Sequence, residues 1–576
     1  MSAKSLRAKR NSQARGLDPA ELVLKNCHLV DVFCGTLKEG DVAICGDTIV
    51  GIGDYSGVEE FDCRGGIVSP GFMEGHIHIE SSMLSPRQFV DTVLPHGTTT
   101  VICDPHEIAN VAGINGIRYL LEESDGLPCS IFVMAPSCVP ATHLENSGAR
   151  LVSDDLVEIM QLPQVLGLAE MMNFPGVLFQ DNEVVEKLIV AGKLGVPVDG
   201  HAPGLRGKDL QAYIGNGVMS DHECSTAAEA LEKLSSGMHI FIREGSTAKN
   251  LKALLPAVSV KNSHRCLLVT DDCHCDELLK EGHLDRILRK AVKLGLDPIT
   301  AIQMVTINVA SFFGLRDRGA VAPGCRADLI VFDDLQDIRV RTVFSGGEEI
   351  IAQHGEAELV SAGLLERYPE VFDSVNVKAE GLSFKIPVNG KKVRVIRVKK
   401  DELITDSVEL DAKIIDGNAV ADKDRDIVKL AVVERHHATG NRGLGFLQGM
   451  GLKRGALAST VGHDSHNITV VGVNDSDMHL VVKTIIDQGG GLAAACDGEV
   501  KARLVLDVAG LMSTAPPEVL AAKFHEMLEA ALEQGVTVGD PFMLMSFMAL
   551  PVIPHLKMTD LGLVDVDDFR LTDLWL

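Results

Sequence analysis

The sequence predicts an α/β protein with a TIM-like (β/α)8 barrel, a small flanking β domain and a C-terminal α+β domain. Between about residues 72 and 315, short apolar runs alternate with helical stretches, which indicates parallel βαβ units. About eight such runs can be counted, the number of strands that closes a barrel. The chain of 576 residues also exceeds what one compact core holds, so further domains are expected.

The stretches on both sides of the barrel are β-like. "LVLKNCHLVDV" and "DVAICGDTIVGIG" precede it, and "GAVAPGCRADLIVFDD" and "VRTVFSGGEEI" follow it, as short runs broken by Gly, Asp and Asn. We therefore expect residues 19–69 and 320–384 to form one small β domain around a barrel at 70–319. Residues 1–18 are basic and lack an apolar segment, so we expect a flexible arm instead of a signal peptide.

A third region begins near residue 385. "KKVRVIRVKK" alternates strictly between polar and apolar residues, and "IVKLAVVER" and "HNITVVGVN" continue the β pattern. Helical stretches lie between these runs, so residues 385–576 are predicted to form a separate α+β domain.

Composition restricts the class of partner. The formal net charge is −26, which argues against nucleic acid or an anionic membrane surface as the main partner. No apolar run reaches about 18 residues, so no transmembrane helix is predicted. The 13 cysteines are odd in number and scattered, as expected for reduced thiols in a cytoplasmic protein.

Polar side chains end most of the predicted barrel strands, where (β/α)8 barrels carry their function. His76 and His78 are two residues apart, so both imidazoles point to the same face of the first strand. The other strands end in Cys103-Asp104 (followed by Pro105, His106 and Glu107), Glu170, His201, Asp221-His222-Glu223, Arg243-Glu244 and Asp271-Asp272. Four histidines and two carboxylates therefore converge on one rim if the barrel forms.

Four neutral imidazoles with two carboxylates suit a pair of divalent metal ions such as Mn, Fe or Zn. Glu170 is the candidate for a bridging carboxylate. A hydroxide shared by two metals is a nucleophile at neutral pH, and Asp271 could accept its proton. A single histidine at a strand end is more often a structural hydrogen-bonding residue than a ligand, so the prediction rests on the joint pattern.

This pattern resembles the amidohydrolase superfamily, with His-x-His on the first strand, single histidines on the fifth and sixth, and Asp on the eighth. The flanking "PGFMEGHIH" and "GAVAPGCRADLIVFD" agree. Within the superfamily, "GHIHIESSML", "VICDPHEIANV", "GLAEMMNFPGV" and "VTDDCHCDEL" are similar to the bacterial adenine deaminases. "GHDSHNITVVGVND" and "QGGGLAAACDGEV" resemble the additional domain of those enzymes.

The resemblance implies hydrolytic deamination of adenine to hypoxanthine and ammonia by a hydroxide that two metal ions activate, a reaction of purine salvage or catabolism. It implies two divalent ions, Mn²⁺ or Fe²⁺ with Zn²⁺ possible, in a cytoplasmic homodimer or larger homo-oligomer. The implied ligands are His76, His78, Glu170, His201, His222 and Asp271. Glu170 stands where many superfamily members have a carboxylated lysine, as in the adenine deaminases.

Two other functions are weighed against this one. Another hydrolase of cyclic amides or amidines in the same superfamily is the nearest alternative, and Glu170 and the third domain argue against it. A catalytically silent barrel that acts as a scaffold is a different class. Silent relatives generally lose ligand residues, and all six are present here.

The sequence departs from related mononuclear deaminases at Gly204, where they place a Glu that protonates a ring nitrogen. Glu80 is our first candidate for this acid, because it lies two residues beyond His78 on the same strand face. His106 and Glu107 come next. Glu80 could equally be a hydrogen-bond partner of a ligand histidine. The candidate substrate contacts are Glu80, Ser81 and Arg243.

A second group of polar residues lies in the third domain. It comprises His436, His437, His463, Asp464 and His466. These residues could be ordinary polar loop residues. They could also belong to a lid over the barrel rim or to an accessory metal site, and the sequence leaves these interpretations open.

Overall fold

The fold is described from a computed structural model, which covers residues 2–246, 248–350, 362–399 and 404–576. Its centre is a set of eight strands, each on one of the apolar runs quoted or counted above. They are Phe72–Ile77, Thr98–Cys103, Ser130–Ala135, Val165–Met171, Val198–Gly200, Ser220–Asp221, His239–Arg243 and Cys266–Val269.

These eight strands are parallel and follow one another in space. The first five form one sheet and the last three form another. A parallel bridge between Ile77 and Asp271 joins the end of the eighth strand to the first. Between the fifth and sixth strands, the Met219 amide donates to the Val198 carbonyl at 2.9 Å. This circular order fits the TIM-like domain that the sequence predicts.

Helices connect the strands in βα order. Those of eight or more residues are Pro86–Val93, His106–Glu123, Asn182–Leu194, Gly207–Gly215, Ala227–Ser235 and Leu284–Lys293. Shorter helices are Ser153–Ile159, Phe174–Leu178, Leu251–Leu254, Cys275–Glu281, Pro298–Met304 and Ile307–Phe312. The three-residue and four-residue 3-10 segments include Ile79–Ser82, directly after the first strand.

An apolar cluster fills the barrel interior on one side. Its buried members from the strands include Met73, Ile102, Met134, Phe241 and Leu267, and Val309, Phe312 and Phe313 join them from the last barrel helix. Burying each large apolar side chain contributes about 1.5–3 kcal/mol. Polar side chains are therefore confined to the other side of the interior, where the strands end.

Strands from both flanks of the barrel pair with each other. Ile67–Pro70 lies between Leu329–Phe332, which is antiparallel to it, and His28–Asp31, which is parallel. Thr36–Glu39, Thr342–Ser345 and Glu348–Ile350 complete this six-stranded sheet. A second, four-stranded sheet consists of Ala20–Lys25, Asp41–Cys45, Thr48–Gly53 and Gly57–Asp62.

The N-terminal residues differ from the expected flexible arm. They form a helix, Ala3–Ala14, whose first turn is capped by the side chain of Ser2. The Tyr55 hydroxyl donates to the Ala14 carbonyl at 2.7 Å, and Arg10 pairs with Asp47 at 2.6 Å. The basic residues that indicated a free arm thus face acidic residues of the four-stranded sheet, which fixes the helix against it.

The C-terminal region is a mixed α+β unit around an eight-stranded sheet. The strands of that sheet are Lys392–Val398, Thr405–Asp411, Ile427–Val433, Arg442–Gln448, Ala456–Ser459, Ile468–Gly472, Gly491–Cys496 and Glu499–Val505. Six shorter strands are Ile386–Pro387, Lys413–Ile415, Asn418–Val420, Leu556–Thr559, Gly562–Asp565 and Arg570–Thr572. The helices of this part of the chain are Ala362–Arg367, Pro369–Phe372, Asp475–Gln488, Pro517–Glu533 and Pro541–Met548.

The segment before residue 385 contacts the C-terminal region, although the sequence analysis assigned it to the small β domain. Phe384 is fully buried in a core with residues of the eight-stranded sheet. The Arg435 guanidinium donates to the Ser374 carbonyl at 3.0 Å. We therefore propose that the third domain begins before residue 374.

The C-terminal region lies over the barrel at the ends of the strands. A parallel bridge joins Leu84, just after the first strand, to Ser513. The Asn146 side chain donates to Asp560 at 2.6 Å, and the Asn467 side chain donates to the Asn146 carbonyl at 2.7 Å. Loops after the barrel strands are therefore held in place by a distant part of the sequence.

Two further observations concern the chain as a whole. All 13 cysteines are free thiols, and only Cys34 among them is exposed. Across the described ranges, no helix combines the length and the apolar character needed to cross a bilayer.

The close approach of the fifth and sixth strands makes Gly200 sensitive to substitution. A Cβ built there would lie 2.1 Å from the Ser220 carbonyl oxygen, so Gly200→Ala must separate the strands that carry His201 and His222. We expect a loss of about 1–3 kcal/mol in stability, measured as a lower midpoint of thermal unfolding. Gly215→Ala is the matched control, because a Cβ at Gly215 meets nothing within 4 Å. Equal midpoints for the two variants would contradict this account.

Candidate metal centre

The six predicted ligands all lie at the ends of parallel strands. His76 is on the first strand and Glu170 on the fourth, while His78, His201 and His222 directly follow their strands. Asp271 comes two residues after the eighth strand. Five of the six residues are buried, and the His201 side chain is 22% exposed. The structure thus brings together the whole set that the sequence predicts.

One half of the site contains the His-x-His pair. His78 Nε2 is 3.2 Å from Asp271 Oδ1 and 3.3 Å from Glu170 Oε1. His76 Nε2 is 3.6 Å from the same Asp271 oxygen. These atoms can surround one ion of the size of a first-row divalent metal.

The other half contains the histidines of the fifth and sixth strands. His201 Nδ1 is 2.6 Å and His222 Nε2 is 3.2 Å from Glu170 Oε2. Each oxygen of Glu170 therefore faces a different group of histidines. This is the geometry that a carboxylate shared by two ions requires.

The donor atoms fit divalent cations in number, type and environment. His76, His78 and Asp271 form one set of buried donors within 4.8 Å of one another, and Glu170, His201 and His222 form another. The buried His76 Nε2 has no hydrogen-bond partner in the described part of the chain. Imidazole nitrogens and carboxylate oxygens suit Mn, Fe and Zn alike, so the donor set does not choose among them.

Neighbouring charges shift the pKa values of Glu170 and His78 in the direction that favours their charged forms. Burial alone would raise the pKa of Glu170, but the charges of His201 and His222 hold this pKa well below its usual value. Burial would lower the pKa of His78, yet hydrogen bonds to Asp271 and Glu170 raise it well above the ordinary value. The carboxylates that favour the protonated form of His78 also attract cations, which bind by displacing that proton.

Partners outside the six ligands orient the ligand side chains. His76 Nδ1 is 2.9 Å from Asp199 Oδ2, and His78 Nδ1 is 3.0 Å from the Asp104 carbonyl. Such contacts on the second ring nitrogen fix the ring and leave the other nitrogen for a metal. Asp199 was not selected from the sequence, although "VDGH" places it two residues before His201, on the strand that His201 follows.

Arg243 is engaged by carboxylates. Its guanidinium Nη1 donates to Asp271 Oδ2 at 2.9 Å and also pairs with Glu223, and Nε donates to Asn250 at 3.1 Å. These contacts favour a role in orienting Asp271. The contact with substrate proposed from the sequence stays a prediction.

Glu80, Ser81 and His106 lie beside the six ligands. Glu80 Oε1 accepts the Ile108 amide at 3.1 Å, while Oε2 is buried without a hydrogen-bond partner among the described residues. Burial, together with the charge of Glu107, raises the pKa of Glu80 to about 7. His106 Nδ1 is 3.7 Å from Glu170 Oε1, and the Ser81 hydroxyl donates to Asp272.

A cavity lies between the barrel rim and the C-terminal region, next to Glu80. Leu492, Phe524 and Phe542 of the C-terminal region supply apolar walls. Glu80, Ser81 and His463 supply polar groups. Apolar walls with a few directed polar groups are typical of sites for small organic ligands.

Sequence comparison identifies the family. An adenine deaminase from Desulfatibacillum aliphaticivorans is 48% identical over 98% of this chain and 98% of its own. Adenine deaminase 2 from Carboxydothermus hydrogenoformans is 46% identical over 97% of each chain, and adenine deaminase 1 from Rhizobium meliloti is 46% identical over 97% of this chain and 98% of its own. The chain belongs to the adenine deaminase family.

Two family models divide the chain along the lines of the fold. The amidohydrolase family model matches residues 67–350, which contain the eight parallel strands and the six candidate ligands. The adenine deaminase C-terminal domain model matches residues 402–570. The region that matches the adenine deaminase C-terminal domain model is therefore the one that contacts the barrel rim.

The second histidine group separates into two kinds of residue. His436 Nε2 is 2.7 Å from the Ser465 carbonyl and His437 Nε2 is 3.0 Å from the Ser147 carbonyl, as ordinary structural histidines. His463 and His466 instead contact Glu107 of the barrel. Asp464 Oδ1 lies 3.9 Å from His106 Nε2. Of the interpretations left open above, these contacts favour a cover over the barrel rim.

The position of Glu170 between two groups of histidines predicts how its substitution changes the metal content of the protein. We expect about two divalent ions per chain in protein loaded with Mn²⁺ and dialysed, and less than half of that content in Glu170→Ala, because both halves of the site lose a donor. Inductively coupled plasma mass spectrometry measures the content. His525→Ala, at a side chain that is 70% exposed, is the control and should keep the full content. Unchanged content in Glu170→Ala would rule out a shared carboxylate.

Proposed function

We propose that this chain catalyses the hydrolytic deamination of adenine to hypoxanthine and ammonia. The observation that carries the proposal is Glu170, whose two oxygens face separate histidine groups in a chain of the adenine deaminase family. Other hydrolases of cyclic amides or amidines remain the alternative. The glutamate at this position and the C-terminal domain favour the deaminase.

Six residues would hold two divalent ions. They are His76, His78, Glu170, His201, His222 and Asp271. We propose Mn²⁺ or Fe²⁺ as the native ions, with Zn²⁺ compatible with the same donors. When bound, such a pair supplies Lewis acidity and lowers the pKa of water, so that hydroxide is available at neutral pH.

Asp271 is the proposed acceptor of the proton of the attacking water. Its carboxylate is ionised, because hydrogen bonds from His76 and His78 and the charge of Arg243 outweigh the effect of burial and hold its pKa well below the usual range. When water adds to C6 of adenine, Asp271 would take one of its protons and pass it to the exocyclic amine, which leaves as ammonia. Arg243 fixes the carboxylate in the orientation that both steps need.

We propose that the purine base binds at the cavity beside Glu80, whose walls must move apart to admit it because its free volume is about 30 Å³. Its apolar walls can stack on the ring faces, and the unpartnered Glu80 Oε2 can address a ring nitrogen at the edge. Negative charge develops on the ring when hydroxide adds to C6. A protonated carboxyl group at Glu80 would neutralise that charge, and Ser81 lines the same cavity. A homo-oligomeric state and a cytoplasmic location stay predictions.

The reaction is tested by ammonia release from adenine with protein loaded with Mn²⁺ or Fe²⁺. We expect turnover of adenine, and a fall of about 10²- to 10⁴-fold in kcat for Asp271→Asn, because the amide cannot accept the proton. Asp209→Asn, on an exposed helical position, should behave as the parent protein. Absence of ammonia from adenine in protein that holds its metal would refute the proposal and direct the search to other ring amidines and amides.

The role of Glu80 is tested by Glu80→Gln, which keeps the shape and removes the acid. We expect kcat with adenine to fall by about 10²- to 10⁴-fold while the metal content stays unchanged. Glu380→Gln is the matched change at an exposed glutamate. Normal turnover in Glu80→Gln would eliminate it as the ring-nitrogen acid, and loss of metal would make it a support for His78.

A further inference from the structure

His463 reaches the barrel rim from the C-terminal region. Its Nδ1 is 2.6 Å from Glu107 Oε1, and its ring packs against Phe547 with 4.9 Å between the centroids. The residue is 4% exposed, and its amide donates to the Ser546 hydroxyl at 3.1 Å. Backbone, ring and one nitrogen are thus all fixed, which is the condition for a precisely directed side chain.

The second nitrogen of this ring is left without a protein partner. His463 Nε2 is buried and has no hydrogen bond within the described residues. His463 also lines the cavity that contains Glu80 and Ser81. A buried polar atom without a partner is unfavourable, so its position beside a cavity points to a ligand that completes the hydrogen bond.

The charge of Glu107 determines what His463 can offer. Burial would lower the pKa of His463, but the charge of Glu107 and the hydrogen bond to it raise this pKa to about 9. At neutral pH both ring nitrogens then carry a proton, with Nδ1 donating to Glu107. Nε2 is therefore a hydrogen-bond donor and not an acceptor.

A metal ion held by Glu107, His463 and His466 is the competing interpretation, since their donor atoms lie within 4.8 Å of one another. His466 argues against it. Its Nδ1 accepts the Gly462 amide at 3.2 Å, so a neutral His466 carries its proton on Nε2, which faces Glu107. A metal on that nitrogen would require the proton to leave, whereas Glu107 already accepts the N–H of His463 Nδ1 without any change.

We propose that His463 donates its Nε2–H to a ring nitrogen of adenine in this cavity. The assignment rests on the proposed function and extends it, because it makes the C-terminal domain a part of the base-binding site. Glu107 is the positioning residue that holds the imidazole. Recognition of the base would then combine Glu80 from the barrel with His463 from the domain that covers it.

The test measures affinities for four bases: adenine, 1-deazaadenine, 3-deazaadenine and 7-deazaadenine. Calorimetry in an Asp271→Asn background prevents turnover. His463→Ala should weaken adenine about 10- to 100-fold, as expected for a lost hydrogen bond from a charged donor. One of the three deaza bases lacks the nitrogen that accepts this bond. That base should bind weakly to the Asp271→Asn protein, and its affinity should not fall further when His463→Ala is added.

The comparison of bases separates recognition from damage to the fold. His463→Gln retains an N–H donor and should lie between the background protein and His463→Ala, and His525→Ala should change nothing. Equal losses for all four bases in His463→Ala would overturn the assignment. A third equivalent of Mn²⁺ that disappears in His463→Ala would replace it with a metal site. If protein with Asp271 intact holds its metal but neither binds adenine nor releases ammonia from it, the proposed function itself fails.

Discussion

The site depends on one constraint, the burial of the Glu170 carboxylate. An isolated carboxylate in a protein interior is strongly unfavourable, so it must be surrounded by groups that compensate its charge. The imidazoles of His78, His201 and His222 do this from three different strands. Only an arrangement that brings the ends of distant strands together can place them so. The parallel strands provide this arrangement, and an apolar cluster fills the other side of their interior.

Charged residues around the six ligands form further buried ion pairs and hydrogen bonds. Asp199 holds His76, and Arg243 holds Asp271. Beneath His222, the buried Lys233 ammonium donates to Asp221 at 3.0 Å and to Glu229 at 2.8 Å, so the strand end that carries this histidine is itself fixed. Buried networks of this kind are favourable only when every member finds its partners. His76 and Asp271 are therefore each held by a residue from another strand.

The features that could be predicted from the sequence are those that depend on a local pattern of residues. Alternating runs gave the parallel strands, and the residues that end them gave the six candidate ligands, because the polar side chains of a barrel gather at one end. Contacts between residues far apart in the sequence could not be predicted, because no local pattern of residues encodes them. The helix Ala3–Ala14 is polar, and its packing depends on acidic partners such as Asp47. The pairing of His463 with Glu107 joins residues 356 positions apart, as 463 − 107.

The position of Gly204 indicates that the C-terminal region is needed to complete the site. Related mononuclear deaminases have a glutamate there, but a Cβ at Gly204 would meet nothing within 4 Å, and the residue is exposed with φ +70°. This part of the chain turns away from the site, so a side chain at this position would point into open space. Groups that recognise the base must then come from elsewhere. Glu80 lies on the barrel side of the cavity and His463 on the other, so in the proposed function the barrel supplies the reacting groups and the C-terminal domain encloses the base.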